Sequence, residues 1–421
     1  MTAITYLGGE PLTLAGLRTL EAADGELALH PQSRERMQRS AECLQRAIGR
    51  DELIYGVNTG SGPLAGAAIA TDQITTLQSR MLLSNAVGVG EPLPEIVVRR
   101  AMILKVVTLA QGLSGVRPEL ADALISLLNA RIHPVVPSQG SCGASGDLAP
   151  LAHIGITLLG IGEVSHVGER VNAAAALAAI GLTPLSPGPK EGLALVNGTQ
   201  ISTALAIEGL FQAEACLTGG LCAAALSLEA GAGNAAAYDA RIHAWRNQSG
   251  QQHVAASLRA LLAGSPLQEA PAKRVQDPYC LRCIPQVMGS ALDQLRRSAL
   301  TLECEINGVT DNPLVDADTD SILYGGNFHA QPIGLAADSQ ALAIAELGSM
   351  AERRIAFLVD GHMSGLPDFL AGSGGLNSGF MVAQVTAAAL ASENKQRAAP
   401  ASTDSIPTAA NQEDYVSMAT Y

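Results

Sequence analysis

The residues most able to do chemistry lie in one short run, Gly140-Ser141-Cys142-Gly143-Ala144-Ser145-Gly146-Asp147. Its glycines have the spacing of a dinucleotide fingerprint, but that motif needs a strand before it and a helical pattern precedes it here. No Lys-Ser/Thr pair follows the glycines, as a phosphate-cradling loop requires, and Asp147 stands where a nucleophile elbow needs Gly. An ordinary Gly/Ser turn is one reading. A sharper one comes from backbone chemistry. Gly146 has no Cβ, so its amide nitrogen can bend towards the carbonyl carbon of Ala144. Closing that five-membered ring, with loss of two waters, one of them from Ser145, leaves an exocyclic methylidene. The chain would thereby make an electrophile that its side chains do not supply, work usually done by an organic cofactor.

The run from Gly143 through Asp147-Leu148-Ala149-Pro150-Leu151-Ala152 to His153 resembles the signature of the aromatic amino acid ammonia-lyases, most of all the histidine lyases. Further matches are Tyr55-Gly56-Val57-Asn58-Thr59-Gly60, Asn197-Gly198-Thr199-Gln200, and Val275-Gln276-Asp277-Pro278-Tyr279 through Arg282 to Gln286. Gly325-Gly326-Asn327-Phe328-His329 and Asn411-Gln412-Glu413-Asp414 complete the set, and the resemblance covers nearly the whole chain. It implies a 4-methylidene-imidazol-5-one group (MIO) formed autocatalytically from Ala144, Ser145 and Gly146, and a homotetramer whose sites draw on more than one subunit. It also implies a role for each matched residue. Tyr55 is the base that takes the β-proton, which requires donors to lower its pKa. Arg282 forks onto the substrate carboxylate. Asn197, Gln276 and Tyr279 hydrogen-bond substrate or prosthetic group, and Phe328 packs there to keep water out. Glu413 is a carboxylate suited to a donor such as imidazole. The Gly-rich stretch 59–62 suits a mobile lid. Asn85 stands where histidine lyases typically carry His; it still hydrogen-bonds an imidazole nitrogen but does not ionise. Ser61 replaces a Phe usual in the Tyr55 run, and family members continue through further helices beyond this motif set.

These residues need rigid elements to hold them, and helical periodicity dominates the chain. Residues 94–110 place Ile96, Val97, Leu104 and Val107 on one broad face, with Arg99, Arg100 and Lys105 breaking the run. Helices are also expected over 118–130, 289–306, 333–359 and 380–396. In 333–359, Leu335, Leu342, Leu347 and Ile355 should face inward and Glu352, Arg353 and Arg354 outward. The alanine-rich 380–396 suits a bundle centre, as does the apolar 202–231, where Glu208, Glu214 and Glu229 argue for a helix buried in protein. Residues 163–171 read as a hairpin turning near Gly168, and 185–190 as a connector. The expected fold is mainly α. A small N-terminal α/β part within a domain at 1–200 would carry Tyr55 and the MIO loop, and 201–421 would form a long-helix bundle, as in the ammonia-lyase/fumarase-like superfamily.

The 421 residues are 48% hydrophobic and 15% charged, which excludes a disordered chain. A net charge of −13 and 3% aromatics argue against binding to nucleic acid or an anionic membrane. The seven cysteines, an odd number without a basic-then-apolar leader, suggest a reduced, cytoplasmic protein. Cys280 and Cys283 have metal-like spacing, but no second pair completes a site, so no metal is expected. The leading reading is an ammonia-lyase turning L-histidine into trans-urocanate. Its alternatives are a lyase or 2,3-aminomutase for tyrosine or phenylalanine, and a shortened non-catalytic relative.

Overall fold

The computed structural model describes residues 4–22, 25–268 and 273–421. The chain is mainly α-helical and divides into two compact units. The first comprises Met1–Glu208, Thr301–Leu335 and Ala401–Tyr421; the second comprises Gly209–Leu300 and Ala336–Pro400. Stretches 301–335 and 401–421 thus return to the unit that holds most of the N-terminal half.

In the first unit, strands Ile4–Leu7 and Glu26–Leu29 pair in parallel around helix Leu14–Ala22, which forms the small α/β part. Helix Glu95–Ala110 is buried from Val97 to Ala110. It has no solvent face, so its cations are internal rather than interruptions of an apolar side. Arg100 is 1% exposed and forks between Glu21 and Glu208, at 2.5 and 3.1 Å. Arg99 donates to the Leu128 carbonyl at 2.8 Å. The expected hairpin is present: Glu163–His166 pairs with Glu169–Asn172 around Val167 and Gly168, both at positive φ as a two-residue turn requires. Strand Ile132–Pro134 adds to its edge. Helices Ile74–Asn85, Leu148–Leu158 and Glu191–Val196 pack against one another, and their ends carry the candidate site.

The second unit packs Leu228, Tyr238, Val254, Leu258, Leu281, Ile284, Met288 and Phe357 into one core. One expectation fails here, and two are unmet within a single chain. In helix Gln331–Val359, Glu352 and Arg354 are buried while Leu342 is 54% exposed; Leu335, on its first-unit portion, is exposed too. Helix Met381–Arg397 has no buried residue. Helix Gln200–Ala230, long and apolar enough to cross a bilayer, leaves Leu226, Cys216 and Cys222 exposed. Periodicity identifies an apolar face without saying whether the same chain or another covers it.

Candidate active site

The loop 140–147 is pinned from several directions. Gly146 and Gly198 form an isolated parallel bridge, and the Asp147 N–H donates to the Gly198 carbonyl at 2.8 Å. The Asp147 carboxylate is fully buried just before helix Leu148–Leu158. It accepts from the Ser202 N–H at 2.8 Å, the Ser202 hydroxyl at 2.6 Å and the Ser141 hydroxyl at 3.0 Å. Burial pushes this carboxyl up, against the pull of those donors. Ser202 lies in the first turn of helix Gln200–Ala230, so the anion sits where backbone N–H groups are unsatisfied. From the other side, the Met418 N–H donates to the Cys142 carbonyl and the Thr420 hydroxyl to the Ser141 carbonyl.

Within this frame Ser145 has φ +54° and Gly146 φ +80°. A Cβ on Gly146 would lie 2.3 Å from the Gly198 carbonyl oxygen. Glycine is therefore required at 146 both by the left-handed backbone and by the close approach. A tight turn of small residues held at both ends, with a hydroxyl at 145 and no Cβ at 146, is what closing a ring across Ala144–Gly146 needs, so these residues fit an MIO group.

A cavity of about 180 Å³ opens on this loop. It is lined by Tyr55, Asn85, Ser145, Asn197 and Glu413, with Met81, Leu148, Leu193 and Val196 among the apolar walls. The Ser145 hydroxyl donates to Glu413 Oε1 at 3.4 Å, and Thr408 donates to Oε2. The Tyr55 hydroxyl oxygen accepts the Gly62 N–H at 2.8 Å, which fixes the ring's polar end at the cavity wall. Stretch 59–62 is tied at its base, with Gly60 N–H on the Ala67 carbonyl and Thr59 bridged to Ala68. Asn85, the last residue of its helix, donates to the Met81 carbonyl at 2.7 Å. Asn197 follows the last turn of helix Glu191–Val196 and is 3% exposed.

The other expected residues lie elsewhere. Phe328 is half-buried in the first unit and does not line this cavity. Gln276 and Arg282 line a hollow of the second unit with Asn234, Asp277, Cys283 and Gln286. Arg282 stacks on the exposed Tyr279 ring at 4.5 Å and donates Nε to the Asp277 carbonyl. All seven cysteines are free thiols, and among the described residues no cluster of His, Cys, Asp and Glu suits a metal.

Polar residues beneath the cavity went unassigned by sequence reasoning. Lys105 is 2% exposed and donates to the carbonyls of Ala194 and Asn197. Lys190 and Asp311 form a fully internal ion pair at 2.5 Å. A charge inside an apolar pattern was the available signal, and for Lys105 it read only as a break in the run.

A family model described as aromatic amino acid lyase matches residues 12–421. A histidine ammonia-lyase of Aromatoleum aromaticum is 54% identical over 423 residues, 100% of this chain and 80% of that protein. Among solved structures, histidine ammonia-lyase from Trypanosoma cruzi is 36% identical with TM-score 0.89, over 99% of this chain and 79% of that one. Tyrosine aminomutase from Streptomyces globisporus is 35% identical with TM-score 0.93, over 99% and 83%. With a match over almost its full length, this chain belongs to the aromatic amino acid lyase family.

Proposed function

We propose that this carbon–nitrogen lyase eliminates ammonia from L-histidine to give trans-urocanate, as the name of its 54% identical relative suggests. The observation that carries the reading is the single cavity lined by Tyr55, Asn85, Ser145, Asn197 and Glu413. Elimination breaks the Cα–N bond and removes one β-proton. Tyr55 Oη takes that proton, its oxygen held in place by the Gly62 N–H. Asn85 and Glu413 hold the imidazole, the former by hydrogen bonding and the latter as a carboxylate acceptor. Asn197 holds the amino end of the substrate. An MIO group made from Ala144, Ser145 and Gly146 would supply the electrophile that turns the amine into a leaving group. Gln276, Tyr279, Arg282 and Phe328 complete the site in a cytoplasmic homotetramer, Arg282 on the substrate carboxylate and Phe328 excluding water. A family whose sites span subunits accounts for these residues lying outside the cavity of one chain.

A second reading, a tyrosine aminomutase or lyase, is favoured by Asn85 in place of His and by the likeness to the Streptomyces globisporus aminomutase. The purified protein should be incubated separately with L-histidine, L-tyrosine and L-phenylalanine. Conjugated-acid absorbance, ammonia and β-amino acid are then measured, and the intact mass is taken in parallel. The expected result is urocanate from histidine and a mass two waters below the sequence value, both absent in Ser145→Ala. Product from tyrosine alone would transfer the assignment to the second reading. A full sequence mass without turnover would make the chain a non-catalytic relative.

A further inference from the structure

The carboxamide of Asn197 is oriented from behind the cavity. Its Nδ2 donates to the Asn312 carbonyl at 2.7 Å and to Asp311 Oδ1 at 3.3 Å. A carbonyl and an ionised carboxylate only accept, so nitrogen and oxygen of this amide are not interchangeable here. A carboxamide has two N–H donors, and both are spent on these partners. Asn197 therefore has its oxygen left to offer the cavity it lines.

Asp311 is fixed in turn. Its Oδ2 receives Lys190 Nζ at 2.5 Å and its Oδ1 accepts the Asn312 N–H at 2.7 Å. Lys190 and Asp311 are 0% and 2% exposed. Burial pushes Asp311 up, but the Lys190 charge and hydrogen bond, joined by the Lys105 charge and further donors, together outweigh it and hold the carboxyl below its usual range. Lys190 immediately precedes helix Glu191–Val196, in a left-handed conformation at φ 66°, and Asn197 immediately follows it. Asp311 thus ties together the two ends of one short helix. A buried ion pair is weak as a source of net stability, so a pair in this place is better explained by what it orients.

We propose that the Lys190–Asp311 pair positions Asn197, holding its amide nitrogen away from the cavity so that its oxygen accepts a hydrogen bond from the substrate amino group. This rests on the reading of the cavity as an ammonia-lyase site. Both are positioning residues, because they act through Asn197.

The test is Asp311→Asn, introduced into wild type and into Asn197→Ala, with Lys190→Met/Asp311→Asn as a second form that leaves no unpaired charge. In Asp311→Asn the single side-chain oxygen is claimed by Lys190, which turns an N–H against the Asn197 nitrogen. Intact mass should still be two waters low. On L-histidine, kcat should fall about 10–100-fold in wild type, more than KM changes, and less than about twofold in Asn197→Ala. Equal falls in both backgrounds would make the pair merely structural and overturn the proposal. So would loss of the mass change in the variants. Should the wild-type protein turn over no amino acid, the function fails and the positioning claim is read from a crystal structure of Asp311→Asn. An Asn197 side chain unmoved from Asn312 would refute it.

Discussion

At the scale of single residues, Lys105 carries the sharpest conflict between charge and burial. Removal from water pulls its ammonium down to about 7; Asp311 and Asp147 raise it and Lys190 lowers it further. An unfolded chain keeps this proton up to the ordinary value of 10.5, so between pH 7 and 10 the unfolded state binds more protons. Unfolding free energy should then climb with pH across that window, at up to about 1.4 kcal/mol per unit, with the full penalty present below pH 7. Lys105→Met should flatten the climb when denaturant midpoints are followed from pH 6 to 10. A wild-type profile already as flat as the variant's would mean that Lys105 is not titrating in the core. Spacing alone showed a cation among apolar residues. It did not show whether that cation reached water or a pair of carbonyl groups.

At the scale of elements, the site is a meeting of helix ends. The loop before Leu148–Leu158, the end of Glu191–Val196 and the start of Gln200–Ala230 converge on the Gly146–Gly198 bridge. Gly198 has φ +120°, and a Cβ there would lie 2.4 Å from Gln200 Oε1 and 2.6 Å from the Thr310 carbonyl oxygen. Gly198→Ala should cost about 2–4 kcal/mol of stability and leave part of the chain at full sequence mass. Gly181→Ala shares the positive φ (+70°) but meets open space, so its mass change should stay complete. If both variants cyclise alike, the bridge does not shape the loop. The helices at 94–110 and 118–130 were legible from apolar period, Pro and Gly, and the hairpin from its turn. The bridge was not, because it joins residues 52 positions apart in sequence by main-chain contact.

At the scale of the whole molecule, helix Met381–Arg397 exposes Val382, Val385 and Leu390, preceded by an exposed Phe380. An apolar stripe of this kind is expected to be covered by another chain. Size-exclusion chromatography with light scattering should give about four times the 43.2 kDa of one chain. Leu390→Glu should shift that mass downward and abolish turnover while leaving the helical circular dichroism of the monomer. A tetramer indifferent to Leu390→Glu would place the interface elsewhere.

The sequence by itself determined the family. Small residues at 144–146, the Tyr55 run and the Asn197 and Glu413 motifs are matters of residue type and order, which a linear reading contains. Tertiary structure alone decided that Tyr55, Asn85, Ser145, Asn197 and Glu413 share one cavity. It alone turned Lys105, Lys190 and Asp311 into internal supports and left the 381–397 helix bare within one chain. The physical reason is that periodicity encodes which face of an element avoids water. The partner that covers the face, and the charge that answers a buried charge, come from segments distant in sequence, 121 residues away for Lys190 and Asp311.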